Sequence, residues 1–174
     1  MIKHKLNLFI FSVLLLTSCS SVESVFSNFS TKSTPTAIQE AVASRVNPEN
    51  ELYVLSSSSL SKSGSIVAQS QANKDATVAL RAQVKKEVEA AYKSNLEGMD
   101  AFSKSVVSPV ISDLSTYATD LIMKKVTQKG AWEDNSKIYS LLAVNKNDVN
   151  TISQKVFQNF IDSAIKKLEN FGSK

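Results

Sequence analysis

The sequence predicts an α+β fold: a small, mostly antiparallel sheet of about three strands with two or three helices packed on one face. Three observations predict it. Residues 68–94 carry apolar side chains three and four positions apart, the period of an amphipathic helix. Residues 122–145 hold two β-favouring runs split by Glu133 to Ser136, EDNS, whose residue types form turns. Residues 148–171 carry a second long helical stripe.

The elements follow in order. Thr36 to Val46 lies after Pro35 and reads as a short helix with Ile38, Ala41 and Val42 on one side, stopped by Pro48. Leu52 to Ser59, LYVLSSSS, begins with β-favouring residues and reads as a strand, with a turn expected at Lys62 to Gly64. The next helix buries Ala72, Ala76, Ala79, Leu80, Val84, Val88, Ala91 and Tyr92, and Glu89 and Lys93 form a favourably ordered i,i+4 pair on its wet side. Gly98 and Pro109 bracket a segment of weaker pattern. Ser108 before Pro109 has the chemistry of a helix cap, and the helix predicted from it buries Val110, Leu114, Tyr117, Ala118 and Leu121. Ile122 to Trp132 alternates, with Ile122, Val126 and Trp132 facing one way and Lys125 and Lys129 the other. Ile138 to Asn145 is a more apolar strand, and the two make a hairpin. Asp148 is the expected cap of the last helix, whose stripe is Val149, Ile152, Val156, Phe160, Ala164, Leu168 and Phe171; Lys166 and Lys167 near its end suit the helix dipole, and Gly172 stops it.

Ahead of this domain, expected over residues 37–174, the chain reads as an export signal and a tether. Met1 to Lys5 is a short basic start, and Leu6 to Leu16, LNLFIFSVLLL, has the length of a secretory apolar core and is too short to span a bilayer. Leu16-Thr17-Ser18-Cys19 resembles the lipobox of bacterial lipoproteins, in which the cysteine is lipidated and the peptide is cut just before it. This resemblance implies a signal peptide over residues 1–18 and a lipid (palmitate-type acyl) anchor on Cys19, the single cysteine of the chain. Burying acyl chain stabilises membrane attachment by about 0.8 kcal/mol per CH₂, so several chains hold where one does not. Residues 19–36 then form a lipidated tether rich in serine and threonine, with Phe26 and Phe29 available to dock on the domain or the lipid surface. Ser20 after the cysteine is not the aspartate that retains lipoproteins in enteric inner membranes, which implies the outer membrane, facing the periplasm or exposed on the cell surface.

Loss of residues 1–18 takes Lys3 and Lys5, so Lys+Arg falls from 20 to 18 against 16 Asp+Glu and the net charge from +4 to +2. No concentrated basic footprint remains, and nucleic acid is not an expected partner. His4, the one histidine, departs too.

The order of elements on a lipidated tether resembles the Lpp-twenty family of small bacterial outer-membrane lipoproteins over roughly residues 50–170. The resemblance is carried by Tyr53-Val54-Leu55, by Ala68-Gln69-Ser70-Gln71-Ala72-Asn73-Lys74-Asp75-Ala76 with Ala79-Leu80 following, and by Val126 to Trp132 leading into Ile138-Tyr139-Ser140-Leu141-Leu142. The serine run Ser56 to Ser59 stands where that pattern has a glycine. What the resemblance implies is an envelope component; it carries over no active-site residue.

The residues themselves point away from catalysis. No histidine is left as a general base near neutral pH, no cysteine–histidine metal set or calcium loop is spaced correctly, and Gly64, Gly98, Gly130 and Gly172 are too far apart to cradle a phosphate. Ser103-Lys104 and Ser61-Lys62 are the nearest approach to a serine–lysine dyad. The acidic pairs Glu133 with Asp134 and Asp113 with Asp120 read as turn formers and a wet helix face. Lys124, Lys125 and Lys129 read as guards of an edge strand, with contact to anionic lipid headgroups or cell-wall polymer as the functional alternative. Tyr53, Trp132 and Tyr139 read as core aromatics, with a ligand groove as theirs.

The expectation is therefore a non-enzymatic, lipid-anchored envelope protein in a structural, assembly or protein-interaction role, needing no cofactor and no metal. Its expected partners are the membrane, through the anchor, and envelope proteins or further copies of itself. The alternative is a binding module for a small apolar or cell-wall-derived ligand.

Overall fold

Strand β3 (Lys137–Asn145) is buried along nearly its whole length, from Ile138 to Val144, as a strand must be when both faces are covered. It is the middle of a three-stranded antiparallel sheet in the order β1-β3-β2, with β1 at Glu51–Ser59 and β2 at Thr127–Glu133. The structure, a computed structural model, describes residues 34–60 and 64–172, with side chains through residue 167. The expected signal peptide, Cys19, Ser20, Phe26, Phe29 and the pair Ser61-Lys62 lie outside the described residues.

The α+β class is as predicted: around the sheet stand α1 (Thr36–Ala43), α2 (Ser65–Glu97), α3 (Ala101–Val107), α4 (Ile111–Met123) and α5 (Lys146–Gly172). Gly64 opens α2 at φ 86°, in the left-handed region where glycine is favoured. The hairpin turn is where EDNS placed it. The Asp134 carboxylate accepts the amides of Ser136 at 2.8 Å and Lys137 at 2.7 Å and the Tyr139 hydroxyl at 2.9 Å. The Ser136 and Lys137 amides and that hydroxyl hold Asp134 below the usual carboxylate range.

The first half of α2 lies on the sheet. Ala68, Ala72, Ala76 and Leu80 are buried, and the Ser140 hydroxyl donates across the interface to Asn73 Oδ1 at 3.1 Å. The register pairs Ser56 with Ser140 and Val54 with Leu142, so these residues share the helix-facing side. At about 1.5 Å per residue, α2 is about 50 Å long, whereas a nine-residue strand spans about 30 Å. The overhang is covered by α4 and α5. Arg81 pairs with Asp120, Lys85 donates to Thr116 at 3.3 Å, and the Ser115 hydroxyl lies 3.4 Å from Glu89 Oε1. Further along, the Tyr92 hydroxyl donates to the Ser153 carbonyl at 3.0 Å, and its ring centroid is 5.1 Å from that of Phe157.

Tyr53, Leu55, Tyr139, Leu141 and Ala143 occupy the other sheet face by alternation, beside Gly130 and Trp132. Here the chain after α1 crosses the sheet. Arg45 stands 5.1 Å above the Trp132 ring and donates to the Lys129 carbonyl at 2.9 Å. Lys129 is the extra residue of a bulge between Gln128 and Gly130, and its ammonium reaches across to Glu51 at 2.7 Å. Burial raises the Glu51 pKa, but Lys129 and the Asn47 amide outweigh it and leave the carboxyl below its ordinary value.

Gly130 is there for space: a Cβ on it would meet the Trp132 ring at 2.4 Å and Arg45 Nη1 at 3.0 Å. Gly130→Ala is expected to lever the indole off its seat, cost about 1–2 kcal/mol, and red-shift the fluorescence of the one tryptophan, read by denaturant titration and emission spectra.

Several boundaries differ from expectation. The segment between Gly98 and Pro109 holds α3, capped by Asp100, whose carboxylate accepts from the Phe102 and Ser103 amides, each at 3.0 Å. Ser108 is not the N-cap of the following helix: it is the C-cap of α3, Ser108–Val110 is a 3₁₀ turn, and α4 starts at Ile111. Ile122 belongs to α4 and is fully buried, so β2 begins five residues later, at Thr127. A β-branched residue at a helix end reads as strand until packing decides. The last helix begins at Lys146, where Asn145 accepts the Asn147 amide at 2.7 Å, and Asp148 falls in its first turn. α1 stops at Ala43, ahead of Val46 and Pro48.

Candidate functional site

The side chains singled out for chemistry scatter, and each has a structural partner or none. The Ser103 hydroxyl donates to Asp100 at 2.6 Å and so completes a helix cap rather than meeting Lys104. Glu133 ends β2 while Asp134 organises the turn. Asp120 is engaged by Arg81 on α2, and Asp113 lies in the first turn of α4. Among the described residues no group of three or more His, Cys, Asp or Glu is placed to hold a metal ion, and no helix is long and apolar enough to cross a membrane.

Tyr53, Trp132 and Tyr139 share a sheet face, as their alternation required, and they pack into it. Tyr53 and Tyr139 are buried, and Trp132, opposite Tyr139 in the register, lies between Gly130 and Arg45. Burial first, and the Asp134 hydrogen bond second, push the Tyr139 phenol up to about 12. This is a packed aromatic face.

The three lysines separate. Lys129 is on the edge strand, tied to Glu51, whereas Lys124 and Lys125 form the turn after α4, their amides donating to Leu121 and Ile122 carbonyls. These two instead join a different feature, a groove of about 860 Å³ between α4 and α5. Leu114, Tyr117 and Leu121 line it from α4, Ile152, Val156 and Phe160 from α5, and Lys124, Lys125 and Lys155 also reach it.

Why these helices leave a groove is written in their two stripes. α4 turns Ser115, Ala118, Thr119 and Ile122 inward, and α5 turns Val149, Ser153, Val156 and Phe157 inward. The inward set includes small and hydroxylated residues whose polar atoms are satisfied locally: Ser115 donates to the Ser112 carbonyl at 2.9 Å and Thr119 to the Ser115 carbonyl at 2.7 Å. On α4 the more apolar stripe, predicted as core, points into the groove instead; on α5 the predicted stripe divides, Val149 and Val156 packing inward while Ile152 and Phe160 turn to the groove. Leu114, Leu121, Ile152 and Phe160 are only half-buried there, and Tyr117 is 57% exposed.

The arrangement has polarity along its length. α4 ends just before β2 and α5 begins just after β3; Thr127 pairs with Ala143, so both helix ends sit at one end of the sheet and the helices run antiparallel. Lys124 and Lys125 mark that end. Lys155, like any helical side chain, leans toward its own helix N-terminus and so toward the same end. Leu114, Phe160 and Ser163 lie at the other. None of the three lysines is in an ion pair among the described residues, and no carboxylate lines the groove. Such a site fits an apolar body with a negative end.

A scan of protein-family models and a search of curated proteins find no match to this chain.

Proposed function

We propose that this chain is a lipid-anchored bacterial envelope protein, sorted to the outer membrane, whose α+β domain works by binding rather than by catalysis, in a structural, assembly or protein-interaction role. The anchor reading is carried by one observation: Cys19 stands directly after a basic start, an eleven-residue apolar run and the small residues Thr17 and Ser18. The resemblance to the Lpp-twenty family supports the same placement. Several acyl chains on one cysteine suffice to hold a domain at a membrane without a spanning helix.

A second reading, a binding module for a small apolar ligand, is favoured by the groove between α4 and α5. Its volume of about 860 Å³ falls within the range of about 300–1,000 Å³ typical of small-molecule sites.

The experiment on the first reading is mass spectrometry of the N-terminus and membrane fractionation of the wild-type chain and of Cys19→Ala. The wild type is expected to begin at an acylated Cys19, to remain in the membrane fraction at high salt, and to accumulate as precursor when the lipoprotein signal peptidase is blocked with globomycin. Cys19→Ala is expected to lose the acyl mass. An unmodified Cys19 in the wild type overturns the anchor. Affinity capture from detergent-solubilised membranes then separates the roles: a stoichiometric envelope protein supports assembly, and recovery of the chain by itself counts against it.

A further inference from the structure

We infer that the groove between α4 and α5 is a site for one long acyl chain with an anionic head, the chain lying along Leu121, Ile152, Tyr117, Val156, Leu114 and Phe160 and the head held by Lys124, Lys125 and Lys155. The inference rests on the second reading above, that the domain binds a small apolar ligand, and is independent of the anchor. Three features of the site carry it.

The first is the misplaced amphipathicity of α4, with large apolar residues of α5 facing it. α4 spends its more apolar stripe, Leu114, Tyr117 and Leu121, on the groove while Ser115 and Thr119 are buried, and α5 turns Ile152 and Phe160 to the groove while Ser153 is buried beside Val149 and Phe157. In a domain with nothing to bind, large apolar side chains are expected inside and serine outside. The reversal leaves two facing apolar stripes half-covered, which a chain of CH₂ groups would finish covering.

The second is size. From Leu114 to Lys124 the helical rise gives about 15 Å. A bilayer hydrocarbon core is about 30 Å thick, so the acyl chains of one leaflet reach about half of that. One chain of membrane length therefore matches the groove from its lysine end to Leu114.

The third is charge. All the charged residues lining the groove are lysines, and topology gathers them toward one end. Opposite charge at that end only suits an amphiphile with a carboxylate or phosphate head and a neutral tail. An apolar molecule without a head would make no use of the three lysines, and a volume of about 860 Å³ is that of a small-molecule site.

The test uses the full chain in phosphatidylcholine nanodiscs, with a palmitate carrying a terminal diazirine and, in parallel, the corresponding hexadecanol. After irradiation, tryptic peptides are mapped by mass spectrometry. Palmitate is expected to label the segments holding Leu114, Tyr117 and Phe160, at the end away from the lysines. The triple variant K124E/K125E/K155E is expected to reduce palmitate labelling by about tenfold or more, since a charge-assisted contact contributes on that scale, while hexadecanol labelling of the same segments stays. Retained hexadecanol labelling also shows that the variant still forms the groove; Lys→Gln at the three positions, with an intermediate loss, is the milder check. Palmitate labels spread over the rest of the chain overturn the site. Equal palmitate labelling of wild type and both variants overturns the role of the lysines. No palmitate-specific labelling of these segments, together with saturable binding of an acidic amphipathic peptide that the triple variant loses, assigns the groove to a protein partner instead. The N-terminal mass from the same preparation reports on Cys19 separately, so the anchor and the groove stand or fall independently.

Discussion

Replacing Tyr92 by alanine is expected to destabilise the domain by about 4 kcal/mol, a loss read as an earlier midpoint in urea at unchanged slope. Tyr92 is fully buried where α2 meets α5. Its ring packs at 5.1 Å centroid distance and 38° against Phe157, and its hydroxyl donates to the Ser153 carbonyl. Aromatic-to-alanine truncation in a core removes the transfer energy of the ring and leaves a cavity that rigid helices close poorly. Tyr92→Phe separates the two contributions: it keeps the ring, loses one neutral hydrogen bond, and is expected to cost about 1 kcal/mol.

The same pair has a pH signature. Burial pushes the Tyr92 phenol up to about 12, from an ordinary value of 10.0. A raised pKa means the folded state keeps a proton the unfolded chain gives up. Its stabilising contribution is therefore complete below pH 10 and is lost as pH rises from 10 through 12. Thermal midpoints are expected to fall over that window in the wild type and less steeply in Tyr92→Phe, with Tyr139 still contributing because its phenol is displaced the same way.

Ala76→Leu is expected to cost about 3 kcal/mol. Ala72 and Ala76 are fully buried between α2 and the sheet, where Asn73 and Ser140 are close enough to touch through short side chains. Three added carbons have no room unless the helix lifts, and overpacking a fitted interface costs free energy as surely as emptying it. Ala79→Leu, three residues on and exposed, is expected to stay within about 0.5 kcal/mol of wild type, so the pair of variants checks both the interface and the helix phase.

Helix phase is where the sequence was only partly legible. Ala79 and Ala91 were expected beside Leu80 and Tyr92 in the buried stripe, yet Ala79 is exposed and Ala91 half-buried. Alanine is small enough to sit on either side, so its position in a pattern says little. Strands were easier: Tyr53-Val54-Leu55, the EDNS turn and Ile138 to Val144 all fell in place, because alternation and turn chemistry are local. The groove was legible in its residues and illegible in its role. Leu114, Tyr117, Leu121, Ile152 and Phe160 are the residues that hydropathy picks as core. The structure keeps for packing a set containing Ser115, Thr119 and Ser153, which hydropathy cannot select because their hydroxyls are satisfied by the helices' own carbonyls. Lys124 and Lys125 were grouped with Lys129 by sequence distance, whereas the chain reverses between them.

Buried positions on α2 fall at every fourth residue without exception: Ala68, Ala72, Ala76, Leu80, Val84, Val88, Tyr92. A helix has about 3.6 residues per turn, so each step of four advances about 40° and the series sweeps about 240° around the rod. The buried line is a screw thread rather than a seam. Its lower flights engage the sheet and its upper flights the pair α4 and α5, on nearly opposite sides of one stiff shaft. The angular setting of the sheet relative to the groove thus depends on the twist of α2 between Leu80 and Val84 as well as on the short links from α4 into β2 and from β3 into α5. Adding a single helical residue between Leu80 and Val84 would press one end to turn against the other by about 100°.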